Sequence, residues 1–293
     1  MKRHLVFVHG RAQENKDSVA LKAEWIAAFK RGLDRAGLSL PIAEADIRFP
    51  YYGDTLSNLV AGDSVVADVL VRGRNDAEEQ DFIREVLEEV QAKLGVTNGP
   101  APVVMEDELR PKGPLNWGWV LAILRVLDAH VPGASAASIA LATADVYQYL
   151  RNPGIRDKIE VGVCAAMSPD VRTVVVSHSL GSVVAYNLLR REGETAGWRV
   201  PLHVTLGSPL GVTAIRRALS PIQFPKCVGN WFNARDPHDV VALYPLDAEH
   251  FNVEPKIANK TDVLNSTGDR HGISGYLDDP EVARRVHDAL VAP

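Results

Sequence analysis

The sequence predicts an α/β protein: a mostly parallel, doubly wound sheet interrupted by a helical insertion. Three observations carry that prediction. Two fully apolar runs, Leu5-Val6-Phe7-Val8 and Val174-Val175-Val176, stop at a glycine or a small-residue turn, as strands buried on both faces do. Each is followed by a stretch whose apolar residues recur at helical spacing. Between these two strand–helix pairs the alternation lapses, and only helical patterns appear.

Taken in order, the Leu5–Val8 run is the first strand. Asp17 or Ser18 caps the next helix, whose inward positions are Leu21, Trp25, Phe29 and Leu33, and Gly37 stops it. Ile47-Arg48-Phe49 is a second extended piece, running into Pro50-Tyr51-Tyr52-Gly53-Asp54. Phe82, Val86, Val90 and Leu94 mark an amphipathic helix with an acidic first turn, stopped at Gly95. A linker bearing proline and glycine follows over 99–114, then an apolar helix near Trp117–Ala129 and another near Ser138–Leu150. The insertion is too long for a plain connection. The expected division is therefore a core of residues 1–60 and 169–293 around a helical cap of residues 61–168. Val174–Val176 restarts the alternation, leading at once into a helix with Val183, Val184, Leu188 and Leu189 inward. His203–Leu206 and Val228–Phe232 read as further strands. The last helix is capped by Asp279, begins at Pro280 and faces Val282, Val286 and Leu290 inward.

Composition removes several classes of function. The 46% apolar and 24% charged residues are those of an ordinary globular protein. A net charge of −5 without any basic block argues against nucleic acid as partner. Met1-Lys2-Arg3-His4 resembles the start of a signal peptide, but the apolar run behind it is too short. The most apolar stretch, Trp117–Leu127, falls well short of the roughly 20 residues that span a bilayer. Two cysteines, Cys164 and Cys227, make no disulfide framework. A cytoplasmic protein is expected.

The sharpest chemical feature is Ser177-His178-Ser179-Leu180-Gly181, lying between a predicted strand and a predicted helix. A turn tight enough to lift a serine above the sheet edge needs small residues two before and two after it. Ser177 and Gly181 meet that need, and the helix start beneath Ser179 favours developing negative charge. On these residues the chain resembles the α/β-hydrolase superfamily, among its bacterial serine esterases and lipases. It departs from the common G-x-S-x-G by placing Ser177 at the first glycine. The resemblance covers the two ends of the chain and leaves the middle as the variable cap.

What the resemblance implies is an α/β-hydrolase fold and a nucleophile, acid and histidine in that chain order. Ser179 is the nucleophile. Three histidines follow the predicted strand at 228–232 and precede the final helix: His238, His250 and His271. His271, in the turn-rich Asp269-Arg270-His271-Gly272-Ile273, has the position at which these hydrolases keep their base. The acid is Asp239 or Asp236. Asp239, followed by Val240-Val241, carries the D-x-V that trails the acid in such enzymes; Asp236 has the spacing from the strand end that other members show. Asp239 is preferred. The oxyanion needs two backbone donors: the Leu180 amide, directly after the nucleophile, and the Arg11 amide, since His9-Gly10-Arg11 resembles the HG motif of the first loop. His178, Tyr51 and Tyr52 are expected to line the substrate pocket.

The expected activity is hydrolysis of a small-molecule carboxylic ester through an acyl-enzyme, with no cofactor and no metal. No Walker loop or dinucleotide fingerprint follows the first strand, and His238, Asp239 and His250 lack a ligand spacing. The apolar cap helix with Trp117, Trp119, Leu121 and Leu124 suits ordinary burial first and an acyl-binding role second. A thioesterase, amidase or acyltransferase would use the same triad, and a catalytically silent binding module is the alternative of another class.

Overall fold

The computed structural model describes residues 3–10, 17–52, 77–95 and 136–293. Among them are six strands and eight α-helices. The strands are β1 (Arg3–Val8), β2 (Ile47–Arg48), β3 (Arg172–His178), β4 (Val200–Leu206), β5 (Val228–Ala234) and β6 (Ala258–Lys260). The helices are α1 (Ser18–Arg35), α2 (Ala77–Lys93), α3 (Ala136–Arg151), α4 (Pro153–Ala166), α5 (Leu180–Glu192), α6 (Thr213–Ala218), α7 (Ile273–Leu277) and α8 (Pro280–Val291).

The sheet is all parallel, in the order β2-β1-β3-β4-β5-β6. Successive side chains of a strand point to opposite faces, and here both faces are apolar. Val6, Val8 and Val175 enter one core with α2 to α6. Leu5, Phe7, Val174 and Val176 enter the other with α1, α7 and α8. That two-sided burial is why β1 and β3 read as unbroken apolar runs. The chain leaves β1 for one edge of the sheet and returns to build β3 to β6 towards the other. The strand order thus reverses between β1 and β3, and the crevice beyond the carboxyl ends of those strands is where a doubly wound sheet places its ligand.

Most local expectations are met. Asp17 caps α1, its carboxylate accepting from the Val19 amide at 2.8 Å. Leu21, Trp25, Phe29 and Leu33 are buried. Phe82, Val86 and Val90 of α2 are buried as well, and they join the sheet-face core rather than a core of their own. Asp279 caps α8 behind Pro280. Asn152 caps α4 with Pro153 in the first turn. On α4, Glu160 binds Arg191 of α5 at 3.0 Å and accepts from Tyr149 of α3 at 2.6 Å, so the three helices are tied by one polar knot.

Four elements were not anticipated: α4, α6, α7 and β6. β6 is three residues at the sheet edge, exposed Ala258 and half-buried Asn259 and Lys260, with no apolar pattern to announce it. α7 is five residues long, too short for a periodicity. The predicted helix near Trp117–Ala129 and the linker at 99–114 lie outside the described residues. Among the described residues no helix is long and apolar enough to cross a membrane.

Candidate active site

Ser179 stands alone between β3 and α5, with φ 55° and ψ −129°. A positive φ is uncommon for a residue with a side chain and persists only where the surroundings enforce it. The enforcement is visible. A Cβ on Gly181 would lie 2.3 Å from the Val8 carbonyl oxygen and 2.4 Å from that of His9, so α5 approaches β1 only because nothing is there. Gly10 is equally close: a Cβ on it would lie 2.8 Å from Cβ of Ser179. Ser177 does more than stay small, since its hydroxyl donates to the Val204 carbonyl at 3.0 Å. The Ser179 amide donates to Leu206 at 3.1 Å, and its carbonyl accepts from the Ser182 hydroxyl at 2.6 Å. Leu180 begins α5, where an amide has no partner within the helix.

Opposite the hydroxyl is His271. Its Nε2 lies 2.9 Å from Oγ of Ser179, and its Nδ1 lies 2.8 Å from Oδ2 of Asp239. Asp239 is fully buried and engages four donors: His271 and the Tyr276 hydroxyl at Oδ2, and the Val241 and Ala242 amides at Oδ1, at 2.8 and 3.2 Å. Burial opposes its charge, but His271 and these donors outweigh burial and hold its pKa below the ordinary carboxylate value. For His271 burial likewise opposes charge, and the Asp239 carboxylate outweighs it, with a smaller contribution from Asp269. The net effect is a pKa above the ordinary imidazole value.

Of the two aspartates considered, the structure joins Asp239 to His271 and turns Asp236 away. The Asp236 carboxylate accepts from the His238 amide at 2.7 Å and the Asn265 amide at 2.8 Å, and lies 3.5 Å from Arg270. It braces the loops on which Asp239 and His271 ride. His250 pairs with Asp247 at 2.9 Å, and the His238 side chain is exposed beside Asp236.

Two expected pocket residues prove to be interior braces instead. Tyr52 is 2% exposed; its ring stacks on His9 with centroids 3.9 Å apart, and its hydroxyl donates to the His9 carbonyl. His178 is 8% exposed and donates from Nε2 to the backbone carbonyl of His271 at 2.8 Å. Burial and the neighbouring His271 push its pKa down to about 3, so it is neutral. It ties the residue before Ser179 to the backbone of His271. Tyr51 is half-buried and packs on His9 at 5.5 Å. His9 itself takes the Tyr52 amide at Nε2 and donates from Nδ1 to the Gly10 carbonyl at 2.7 Å, orienting the turn after β1. Arg11 lies outside the described residues.

Sequence reasoning missed Tyr276. Its hydroxyl donates to Asp239 at 2.5 Å and accepts from the Asp236 amide at 3.1 Å. A lone tyrosine in a five-residue helix carries no sequence signal for that task.

Ser179 and Leu180 open on a narrow apolar cleft walled by Val86 and Val90 of α2, Ile139 and Val146 of α3, and Val212 and Ile215. Val240 and Leu243 line both this cleft and a second, wider hollow, whose polar lining is Lys93, Arg235, His238, Asp239, Asp269 and Arg270. Among the described residues no group of three or more His, Cys, Asp or Glu side chains is gathered to hold a metal ion. The arrangement can remove a proton from the Ser179 hydroxyl and hold the resulting imidazolium against a buried carboxylate. Comparison with protein-family models, curated proteins and solved structures finds no match to this chain.

Proposed function

We propose that the protein is a serine hydrolase of the α/β-hydrolase fold that cleaves carboxylic esters through an acyl-enzyme. The observation that carries this reading is the unbroken chain from Ser179 through His271 to Asp239, with links of 2.9 and 2.8 Å, at the crevice where the strand order reverses. Its supports are the enforced backbone of Ser179 and the order of the three residues, after the third, fifth and sixth strands.

The steps follow from the geometry. His271 Nε2 takes the proton of Ser179 as its oxygen attacks the ester carbonyl. Asp239 holds the ring by Nδ1 and stabilises the imidazolium. The oxyanion faces the start of α5, where the Leu180 amide is one donor; the second belongs to the loop after β1, for which the sequence nominates Arg11. His271 returns its proton to the leaving oxygen, and water repeats the cycle on the acyl-enzyme. The apolar walls of the cleft beside Ser179 suit an acyl group. No step calls for a cofactor. Both cysteines are free thiols, in keeping with work in the cytoplasm.

The test is hydrolysis of a chain-length series of nitrophenyl esters by wild type and Ser179→Ala. The expected result is turnover by wild type and a loss of about 10⁴-fold or more in the variant. Equal rates for the two proteins would refute the reading.

A further inference from the structure

The second hollow is unlike the first, and its chemistry is not absorbed by the triad. Arg235 at the end of the β5 strand is only 9% exposed, yet among the described residues no carboxylate lies within ion-pair distance of it. Its Nε donates to the Ala242 carbonyl at 2.7 Å and its Nη2 reaches the Pro237 carbonyl at 3.4 Å. A guanidinium withdrawn from water with carbonyls alone is costly to hold, and burial indeed pulls its pKa down. Lys93, at the end of α2, and Arg270 reach the same hollow. Lys93 has the Tyr244 ring at 4.9 Å as its neighbour.

Asp239 and Asp236 act on Arg235 only at longer range, and burial outweighs them. Asp239 engages its four donors, and Asp269 accepts from the His271 and Gly272 amides and the Thr267 hydroxyl. Asp236 binds two amides and Arg270. Arg270 is also one of two residues other than glycine with positive φ, at 57°, among the described residues. Such conformations cluster where a ligand is clamped.

We propose that this hollow is an anion subsite, taking a phosphate or carboxylate borne on the leaving part of the substrate ester while the acyl part lies in the apolar cleft. The inference rests on the hydrolase reading for its place in the reaction. His271 protonates the leaving oxygen, so the leaving part lies against the loop carrying Asp269, Arg270 and His271, which walls the hollow. Val240 and Leu243 border both spaces, and α2 lines the cleft with Val86 and Val90 and the hollow with Lys93, its last residue. One substrate with an apolar and an anionic end fits that pairing.

The test has two arms, each run on wild type, Lys93→Glu and Lys93→Gln. Lys93 is exposed, so the charge changes leave the core untouched. In the first arm, calorimetric titration uses phenyl phosphate, phenylacetate and phenol, and needs no turnover. One of the two anions is expected to bind, phenol far more weakly, and Lys93→Glu to weaken the anion about tenfold or more, Lys93→Gln less. In the second, kcat/KM is compared for phenyl butyrate, its 4-carboxymethyl derivative and its 4-phosphonomethyl derivative. The ratio of an anionic ester to the neutral one is expected to fall about tenfold or more in Lys93→Glu, and the larger fall identifies carboxylate or phosphate. Absence of anion binding in the first arm overturns the subsite. Anion binding with an unchanged ester ratio overturns its part in the reaction. If no ester is cleaved, the hydrolase reading fails, and the titration still decides the anion site.

Discussion

The turn at Ser179 and the loops that bring Asp239 and His271 to it meet across two hydrogen bonds, Ser179–His271 and His178–His271, yet they are held by different forces. Around Ser179 the chain is positioned by contact: β3 ends, α5 begins, and Gly181 lets the helix touch the carbonyls of Val8 and His9. Around Asp239 and His271 there is little regular structure, and polar bonds do the positioning. Asn265 donates to the Gly272 carbonyl at 2.8 Å, Asp269 accepts the His271 amide at 3.1 Å, and Asp236 accepts from two loop amides. The first region has no room for an added atom. The second cannot lose a polar partner without leaving another buried group unsatisfied.

That contrast is testable first where the largest change is expected. Asp239→Asn removes the charge that holds the imidazolium, and kcat should fall about 10⁴-fold. Asp236→Asn leaves the His271–Asp239 link in place, so turnover should fall less than about tenfold while the melting temperature drops. Steady-state kinetics and thermal unfolding of the two variants together separate a triad member from a brace. Equal losses of activity would dissolve the distinction.

At the elbow the expected effect is on stability. Gly181→Ala places a methyl 2.3 Å from a backbone oxygen, and neither β1 nor α5 can yield cheaply. Unfolding by urea should show a loss of about 3 kcal/mol. A loss near zero would mean that packing does not set the turn.

The smallest effect belongs to Tyr276→Phe, which removes one donor from Asp239 and leaves the ring in place. With His271 raised above the ordinary imidazole value, the acid limb of kcat/KM should have its midpoint above about pH 6.5, because His271 must be neutral to accept the proton. A carboxylate stripped of the phenol holds the imidazolium more tightly, so the midpoint should move up in Tyr276→Phe. Asp239→Asn should move it down. A downward shift in Tyr276→Phe would show that the phenol acts otherwise than as a competing donor.

The same contrast explains what could be read in the sequence. Contact leaves local marks: apolar runs in β1 and β3, helical spacing in α1 and α8, caps at Asp17 and Asp279, and small residues flanking Ser179. Chain order then brought His271 and the Asp236–Asp239 loop into consideration through a family resemblance. The choice between the aspartates was not local. A tight turn, with the Asp239 amide donating to the Asp236 carbonyl at 3.1 Å, sends the two carboxylates in opposite directions. Tyr276 left no trace because its partners, Asp236 and Asp239, come from a distant segment. Tyr52 and His178 were misplaced on the pocket wall for a related reason: aromatic residues beside a site serve equally well behind it, and burial against His9 and His271 decides which.

The most direct measurement of the central claim is labelling with a fluorophosphonate, located by mass spectrometry of peptides. One phosphonylated residue, Ser179, is expected in wild type, with labelling slowed by orders of magnitude in His271→Ala. An unlabelled Ser179 in the folded wild-type protein, or equal labelling with and without His271, would contradict it.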